Sequence, residues 1–536
     1  MQKKIELLDC TLRDGAYITN SEFGDLTIKG IIKKLQNANI EVVECGWLKD
    51  GKYQQGTTYF HVPNDLLPYI NKKESHVFVA MIDWDRYDLN QLPVCDGRTI
   101  DAIRVVFPHG KHNEAVSVAL EIKKKGYQVF LQAANTLAYS EKDLRELSEA
   151  VNKLQPVAIS IVDTFGAMLE EDLEHMVEVL HRNLDDTIKL GFHSHNNMQL
   201  SFSLSCHFIK ILDGKRDIIV DASLNGMGRG AGNATTELVA NILNRKYHKN
   251  YDMNEILDAI DLYMLPLSNQ YNWGYSTPYF IAGMYQCHVN NIKYLLDNHR
   301  TNSKDMRNII RSLSTEERRH YDYNLLESKY VENQNRVVDD EEAIHSLENH
   351  LKNKSVLLIG PGATTDRERD KIVAYIHRDH PIVIFVNAIN KNYKGDYLFL
   401  INSVRYDYAK AAYRNEFDSL TKILLSNIKT ETMENEYIIN FDRVMKRGWE
   451  HFDNAVISCL RLMDKVHVRK VGIAGFDGFR KYDETYADKS LPTRNPDHRW
   501  EKLNAEVQEM YDDFKSSCNS DMKISFVTTC MFEKKS

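Results

Sequence analysis

No apolar stretch of this 536-residue sequence approaches the ~18–20 residues a membrane-spanning helix needs. The longest, such as Pro381–Ile389, have the length of a buried strand. Positive charge is not in excess: 68 Lys and Arg stand against 76 Asp and Glu, a net charge of −8, so the basic footprint of a nucleic-acid binder is missing. The eight cysteines are scattered singly with no C-x-x-C pair, which excludes a disulfide framework and suits a reducing compartment. No internal repeat or low-complexity tract is present, which excludes solenoids and collagen-like chains. The chain opens directly into a strand pattern, so no signal peptide is expected. These absences lead to the expectation of a cytoplasmic protein without membrane or nucleic-acid partners.

What is present is an ordinary globular composition, 43% hydrophobic and 27% charged, in a chain long enough for two or three domains. The first half alternates short β-branched runs with amphipathic segments. Strands are predicted at Ile5–Cys10, Glu41–Gly46, His76–Ile82, Ala102–Phe107, Gln128–Gln132, Ala158–Asp163, Lys189–His195 and Ile218–Leu224. Helical patterns such as Leu26–Asn37, Glu141–Leu154 and Glu170–Arg182 lie between them. This even β-then-α repeat predicts a closed (β/α)8 TIM barrel over residues 1–250. Residues 251–353 read as a helical lid and linker, with helices at Asn254–Met264, Pro278–Asp297 and Ser303–Ser312 and a charged linker or solvated helix at Tyr330–Asn353. Residues 354–536 restart with strand, glycine turn and helix, which predicts a Rossmann-like α/β domain of unassigned role. Its further strands are predicted at Pro381–Asn387, Tyr397–Ile401, Thr421–Leu425, Lys470–Ala474 and Lys523–Thr528.

Two motifs carry chemistry. Arg13 and Asp14 follow the first strand directly, and His193-Ser194-His195 ends the seventh. Residues two apart on a strand face the same side, so both imidazoles are expected to point inward at the barrel's C-terminal mouth, where barrel active sites are built. One carboxylate and two imidazoles form a facial set that leaves positions on a divalent ion open for substrate oxygens.

Four segments carry a family resemblance: Leu7–Gly15 (LLDCTLRDG), Val162–Met168 (VDTFGAM), Gly191–Asn197 (GFHSHNN) and Asp221–Asn233 (DASLNGMGRGAGN). In this order they resemble the DRE-TIM metallolyases, which include hydroxymethylglutaryl-CoA lyase, isopropylmalate synthase and the 4-hydroxy-2-oxoacid aldolases. The pyruvate-forming aldolases are the most similar, because Gly274–Tyr279 also resembles their Gly-Tyr-x-x-x-Tyr lid motif. The resemblance implies a metal-dependent lyase that makes or cleaves a 4-hydroxy-2-oxo acid through a pyruvate enolate. Its partners would be a 2-oxo acid and an aldehyde, with a sugar as one candidate aldehyde and a second copy of the chain, in a homo-oligomer, as a further partner.

Carried over by position, the resemblance makes Asp14, His193 and His195 the ligands of Mn²⁺ or Mg²⁺, with Asn233 as a ligand or a group supporting one. Arg13 would stabilise the enolate, Thr164 would seat the carboxylate and Tyr279 would close over the substrate. Gln132 is a candidate substrate contact or a core amide. Glu44 and Cys45 receive no catalytic role. Tyr17 stands where relatives place a general-base histidine, and either moves a proton or donates a hydrogen bond to an aldehyde oxygen.

Two other functions stay open. An acyl-CoA Claisen-condensing enzyme of the isopropylmalate or homocitrate synthase type would typically read Arg-Asp-Gly-Glu-Gln where Arg13–Tyr17 stands. A phosphorylated-ligand-binding module would rest on Gly360-Pro361-Gly362, a glycine turn before a helix that lacks the third glycine of a dinucleotide fingerprint.

Overall fold

The computed structural model describes residues 3–72, 76–299, 301–334, 336–428, 436–451, 453–480, 485–491, 500–518 and 521–533. They form two units, residues 1–292 with 313–321, and residues 293–312 with 322–536.

The first unit is the predicted barrel. Its strands are β1 (Ile5–Asp9), β2 (Val42–Leu48), β3 (Val77–Asp83), β4 (Ala102–Phe107), β5 (Gln128–Ala133), β6 (Ala158–Asp163), β7 (Lys189–Ser194) and β8 (Ile218–Ala222). Neighbours pair in parallel, and Leu8 opposite Val42 closes β1 onto β2. A short strand, Tyr59–Phe60, adds to β2 outside this ring.

Alternation along the strands sorts two layers. Residues such as Ile103, Val105, Ile159 and Ile161 face outward into the core beneath the helices. Inward, the floor is apolar: Leu8, Val42, Val79, Ala102, Phe130, Ala158 and Ile219 pack together. Two residues further along, the same faces carry Glu44, Arg104, Gln132, Ser160 and Asp221, all buried. A barrel interior is normally filled with branched apolar side chains. Here one layer is charged, and it lies directly under the mouth.

In the helical segments one expectation is corrected and one alternative is selected. The single helix Pro278–Asp297 is two helices, Thr277–Met284 and Val289–Asn298. Gln286 takes a left-handed backbone (φ 48°) and the His288 amide turns to the Arg318 carbonyl, 2.7 Å away, so the ladder breaks between them. For the charged stretch Tyr330–Asn353, of which Asn335 lies outside the described residues, the linker reading gives way to the solvated helix. The stretch contains the helix Glu341–Leu351, which buries Leu347 and Leu351. Asp340, 1% exposed, anchors its start by accepting from Arg443 Nε at 2.7 Å.

The second unit contains a parallel sheet built from β9 (Ser355–Ile359), β10 (Ile382–Val386), β11 (Tyr397–Leu400), β12 (Thr421–Leu425), β13 (Glu436–Ile439), β14 (Lys470–Ala474) and β15 (Lys523–Phe526). Their order is β13-β12-β11-β10-β9-β14-β15, so the winding reverses between β9 and β14. This is a Rossmann-like α/β arrangement. Strand β13 was not predicted. It is a short edge strand whose first residues, Glu436 and Tyr437, are half-buried, so it lacks an apolar run. No helix among the described residues is long and apolar enough to cross a membrane.

Candidate metal centre and active site

The chain leaves β1 into a single helical turn, Thr11–Asp14, in which the Asp14 amide donates to the Cys10 carbonyl at 2.9 Å. This turn delivers Arg13 and Asp14 to the barrel mouth. His193 lies on β7 and His195 just beyond it, where a bridge to Asn233 and the Asn196 amide on the Gly232 carbonyl (2.8 Å) hold the backbone. One ligand atom from each of Asp14, His193 and His195 falls within 4.8 Å of the others, and all three residues are buried.

Several observations fit this set to a divalent cation. The Asn233 amide nitrogen donates to Asp14 Oδ2 at 2.6 Å, while its Oδ1 is a buried acceptor with no hydrogen-bond partner. A Cβ on Gly228 would lie 2.3 Å from Asn233 Nδ2 and 2.5 Å from Asp14 Oδ2, so only glycine lets this loop approach so closely. Burial opposes ionisation of Asp14, but Arg13, the two imidazoles and the Asn233 amide outweigh it and hold the carboxyl well below the usual range. Burial also pulls His195 down to about 3, which leaves a neutral imidazole with a free lone pair.

The charged layer beneath explains how these groups are held. Arg13 Nη1 donates to Asp14 Oδ1 (2.7 Å) and its Nε to Glu44 Oε2 (2.8 Å). Arg104 Nη1 donates to the same Glu44 oxygen at 2.9 Å, and its Nη2 donates to Asp221 Oδ2. That Asp221 oxygen lies 3.1 Å from His193 Nδ1, without hydrogen-bond alignment. Three carboxylates (Asp14, Glu44 and Asp221) thus face two guanidiniums, which leaves one negative charge in a buried, low-dielectric site. A cation is the natural complement.

Of the remaining predicted residues, Gln132 faces inward and donates to Ser160 Oγ at 2.9 Å. Thr164 Oγ1 accepts from the Asn135 amide at 2.7 Å and ties together the loops after β5 and β6. Tyr279 stands in the first turn of the helix Thr277–Met284, its amide donating to Ser276 Oγ at 3.4 Å. This helix lies at the mouth: a Cβ on Gly283 would be 3.2 Å from Asn197 Cβ and from the Gly166 carbonyl. Tyr17 lies under the Arg229 guanidinium, 3.8 Å from ring centroid to Cζ, with its edge toward Trp47 at 5.9 Å. Its ring is 37% exposed to the open mouth, yet the crowding around it pushes the phenol up to about 12, against the opposing pull of Arg229 and Arg13.

The structure therefore brings Arg13, Asp14, His193, His195 and Asn233 together, and sets Tyr17 beside Arg229 at the mouth. Sequence reasoning missed Arg104, Asp221, Arg229 and His288, and left Glu44 without a role. The available signal for Arg104 was an arginine at an inward position of an otherwise apolar strand. Arg229 Nη1 approaches His288 Nε2 at 3.4 Å, and burial, with Arg229 next, brings that imidazole down to about 3.

Comparison with known proteins places this geometry in a family context. Residues 108–262 match the family model described as HMGL-like. Over 274 residues the chain is 27% identical to an oxaloacetate decarboxylase from Mycobacterium tuberculosis, covering 49% of this chain and 77% of that protein. Over 276 residues it is 26% identical to a 4-hydroxy-2-oxovalerate aldolase from Geobacillus genomosp. 3, covering 50% of this chain and 78% of that one. Among solved structures, the N-terminal domain of a candidate aldolase from Bacteroides vulgatus superposes with a TM-score of 0.51 at 27% identity. That match spans 57% of this chain and 100% of the other.

Proposed function

With an HMGL-like domain in the barrel, we propose that this chain is a divalent-metal-dependent carbon–carbon lyase that makes or cleaves a 4-hydroxy-2-oxo acid through a pyruvate enolate. The observation that carries this reading is the facial set Asp14, His193 and His195 with the Arg13 guanidinium paired to Asp14 at 2.7 Å. A divalent cation there would act as a Lewis acid on the keto and carboxylate oxygens of the 2-oxo acid. Mn²⁺ or Mg²⁺ suits a set of carboxylate and imidazoles without thiolate. The nearby Cys10 sulfur is 3.9 Å from Asn233 Nδ2, and burial keeps it a thiol by raising its pKa well above the ordinary value.

In the cleavage direction the 4-hydroxyl passes its proton to water at the mouth, the C3–C4 bond breaks to release an aldehyde, the electron pair passes to the 2-keto oxygen as an enolate, and C3 then takes a proton from water to give pyruvate. Arg13 supplies a fixed, planar positive charge for the enolate, pre-aimed by Glu44. Tyr17, as a neutral phenol, donates a hydrogen bond to the aldehyde-derived oxygen. Thr164 and Gln132 contact the 2-oxo acid, and Tyr279 closes the mouth over it.

The test is solvent-deuterium exchange into the methyl group of pyruvate, followed by an aldehyde screen. Exchange that requires added Mn²⁺ or Mg²⁺ and is lost in Asp14→Asn is expected. Absence of exchange, with no metal retained by protein prepared without chelator, would overturn the reading.

A further inference from the structure

The glycine turn after β9 is not a phosphate cradle. Pro361 has no amide hydrogen, and every other amide of the turn is already bonded. Gly360 donates to the Ala474 carbonyl (2.8 Å), Gly362 to that of Gly475 (3.0 Å) and Ala363 to that of Thr485 (3.3 Å). The Thr364 amide donates to Asp477 Oδ2 at 2.7 Å. A Cβ on Gly362 would stand 2.6 Å from the Asp477 carboxyl carbon, so this glycine serves the interlocking of the loops after β9 and β14.

The crevice above those loops nevertheless has the features of a ligand site. It lies at the carboxyl ends of the strands where the winding reverses, the place at which open α/β sheets bind ligands. The crevice encloses about 100 Å³ and opens to solvent among Asn387, Arg405, Asp453, Phe476, Phe479 and Tyr486. Arg405 stands in the first turn of the helix Ser403–Ala412 and is 6% exposed. Its guanidinium carbon is 5.0 Å from the centroid of the Tyr486 ring, yet Nη1 is buried with no hydrogen-bond partner. A buried guanidinium donor left unsatisfied beside a cavity calls for an anion.

We propose that this crevice binds a nucleotide, with Arg405 taking the phosphate and the half-buried rings of Phe479 and Tyr486 offering faces to the base. Asp453 also lines this space. Asp477, by contrast, is committed to Thr364 and repels an anion from the glycine turn, which directs the phosphate to Arg405.

Titration calorimetry on the full chain tests this with the 5′-monophosphates of adenosine, guanosine, cytidine and uridine. The controls are the corresponding nucleosides, ribose 5-phosphate and inorganic phosphate. At least one nucleotide should bind one to one, with removal of either phosphate or base weakening it about tenfold or more. Arg405→Gln should weaken that nucleotide by a similar factor and Arg405→Lys should recover part of it, with circular dichroism confirming the fold. If Arg405→Gln does not fold, Phe479→Ala decides, since it should weaken the nucleotide and leave inorganic phosphate unaffected. The proposal is overturned if no nucleotide binds at millimolar concentration, or if ribose 5-phosphate alone binds as tightly. Nucleotide binding by a folded Arg405→Gln or Phe479→Ala variant as tight as by the native chain also overturns it.

Discussion

Arg104 and Asp221 form an ion pair inside the barrel, and the Asp221 oxygen that receives the guanidinium also faces His193 Nδ1 at 3.1 Å. Neither side chain is more than 1% exposed. The pair links β4 to a charge contact with one imidazole of the candidate metal site, the position from which an outer carboxylate supports a metal-bound histidine.

Arg104→Met should therefore be costly. Removing Arg104 leaves Asp221 as an uncompensated buried charge and Glu44 with Arg13 alone, an effect of about 3–5 kcal/mol. Affinity for Mn²⁺ should fall ~10–100-fold as His193 loses its support. Denaturant unfolding and metal titration check both effects, and near-native stability would show that the layer tolerates an unpaired charge.

Arg13→Lys should damage turnover more than substrate binding. Lysine keeps the charge but loses the planar fork that Glu44 and Asp14 now hold. A loss of ~10²–10³ in kcat with a much smaller change in KM is expected in the exchange assay. Equal losses in binding and turnover would make Arg13 a substrate anchor.

Tyr17→Phe separates the two roles open for that residue. A phenol pushed up to about 12 is protonated throughout the neutral range, which favours a hydrogen-bond donor over a base at pH 7. The variant should lose turnover while keeping the native pH profile between pH 6 and 9. Loss of a limb of that profile would identify Tyr17 as the base.

His288 makes a stability prediction whose sign follows from linkage. Its folded pKa of about 3 lies below the unfolded value of ~6.5, so below pH 6.5 the unfolded chain binds a proton that the folded chain does not. The native chain should lose stability relative to His288→Asn as pH falls from 7.5 to 5, by about 1–2 kcal/mol. Asp9 and Asp163, both pushed up to about 6 by burial, work in the opposite direction and are common to both proteins, so the difference isolates His288. Parallel stability curves would place this imidazole in contact with water.

Local regularities were legible without the structure. The period of two along each strand placed His193 and His195 on one face, and the repeat of strand and helix announced a barrel whose strands begin and end within two residues of expectation. Arg13 and Asp14 were readable for the same reason, since the first strand leads directly to them. These signals depend on neighbours in the chain, and propensity and periodicity report on neighbours.

What only the tertiary structure decided joins residues far apart. Arg104 meets Glu44 across 60 positions and Asp221 across 117, and no local pattern encodes which inward residues of a barrel become partners. The helix break at Gln286 depends on the Arg318 carbonyl that captures the His288 amide, a bond made 30 residues away along the chain. The glycine turn after β9 looked like a phosphate cradle because its residues permit one. Whether its amides are free depends on the loop after β14 and on Asp477, which folding brings across 113 positions to take the Thr364 amide. Chain-local chemistry sets what each group is able to bond, and the packing of distant strands decides which bonds are already taken.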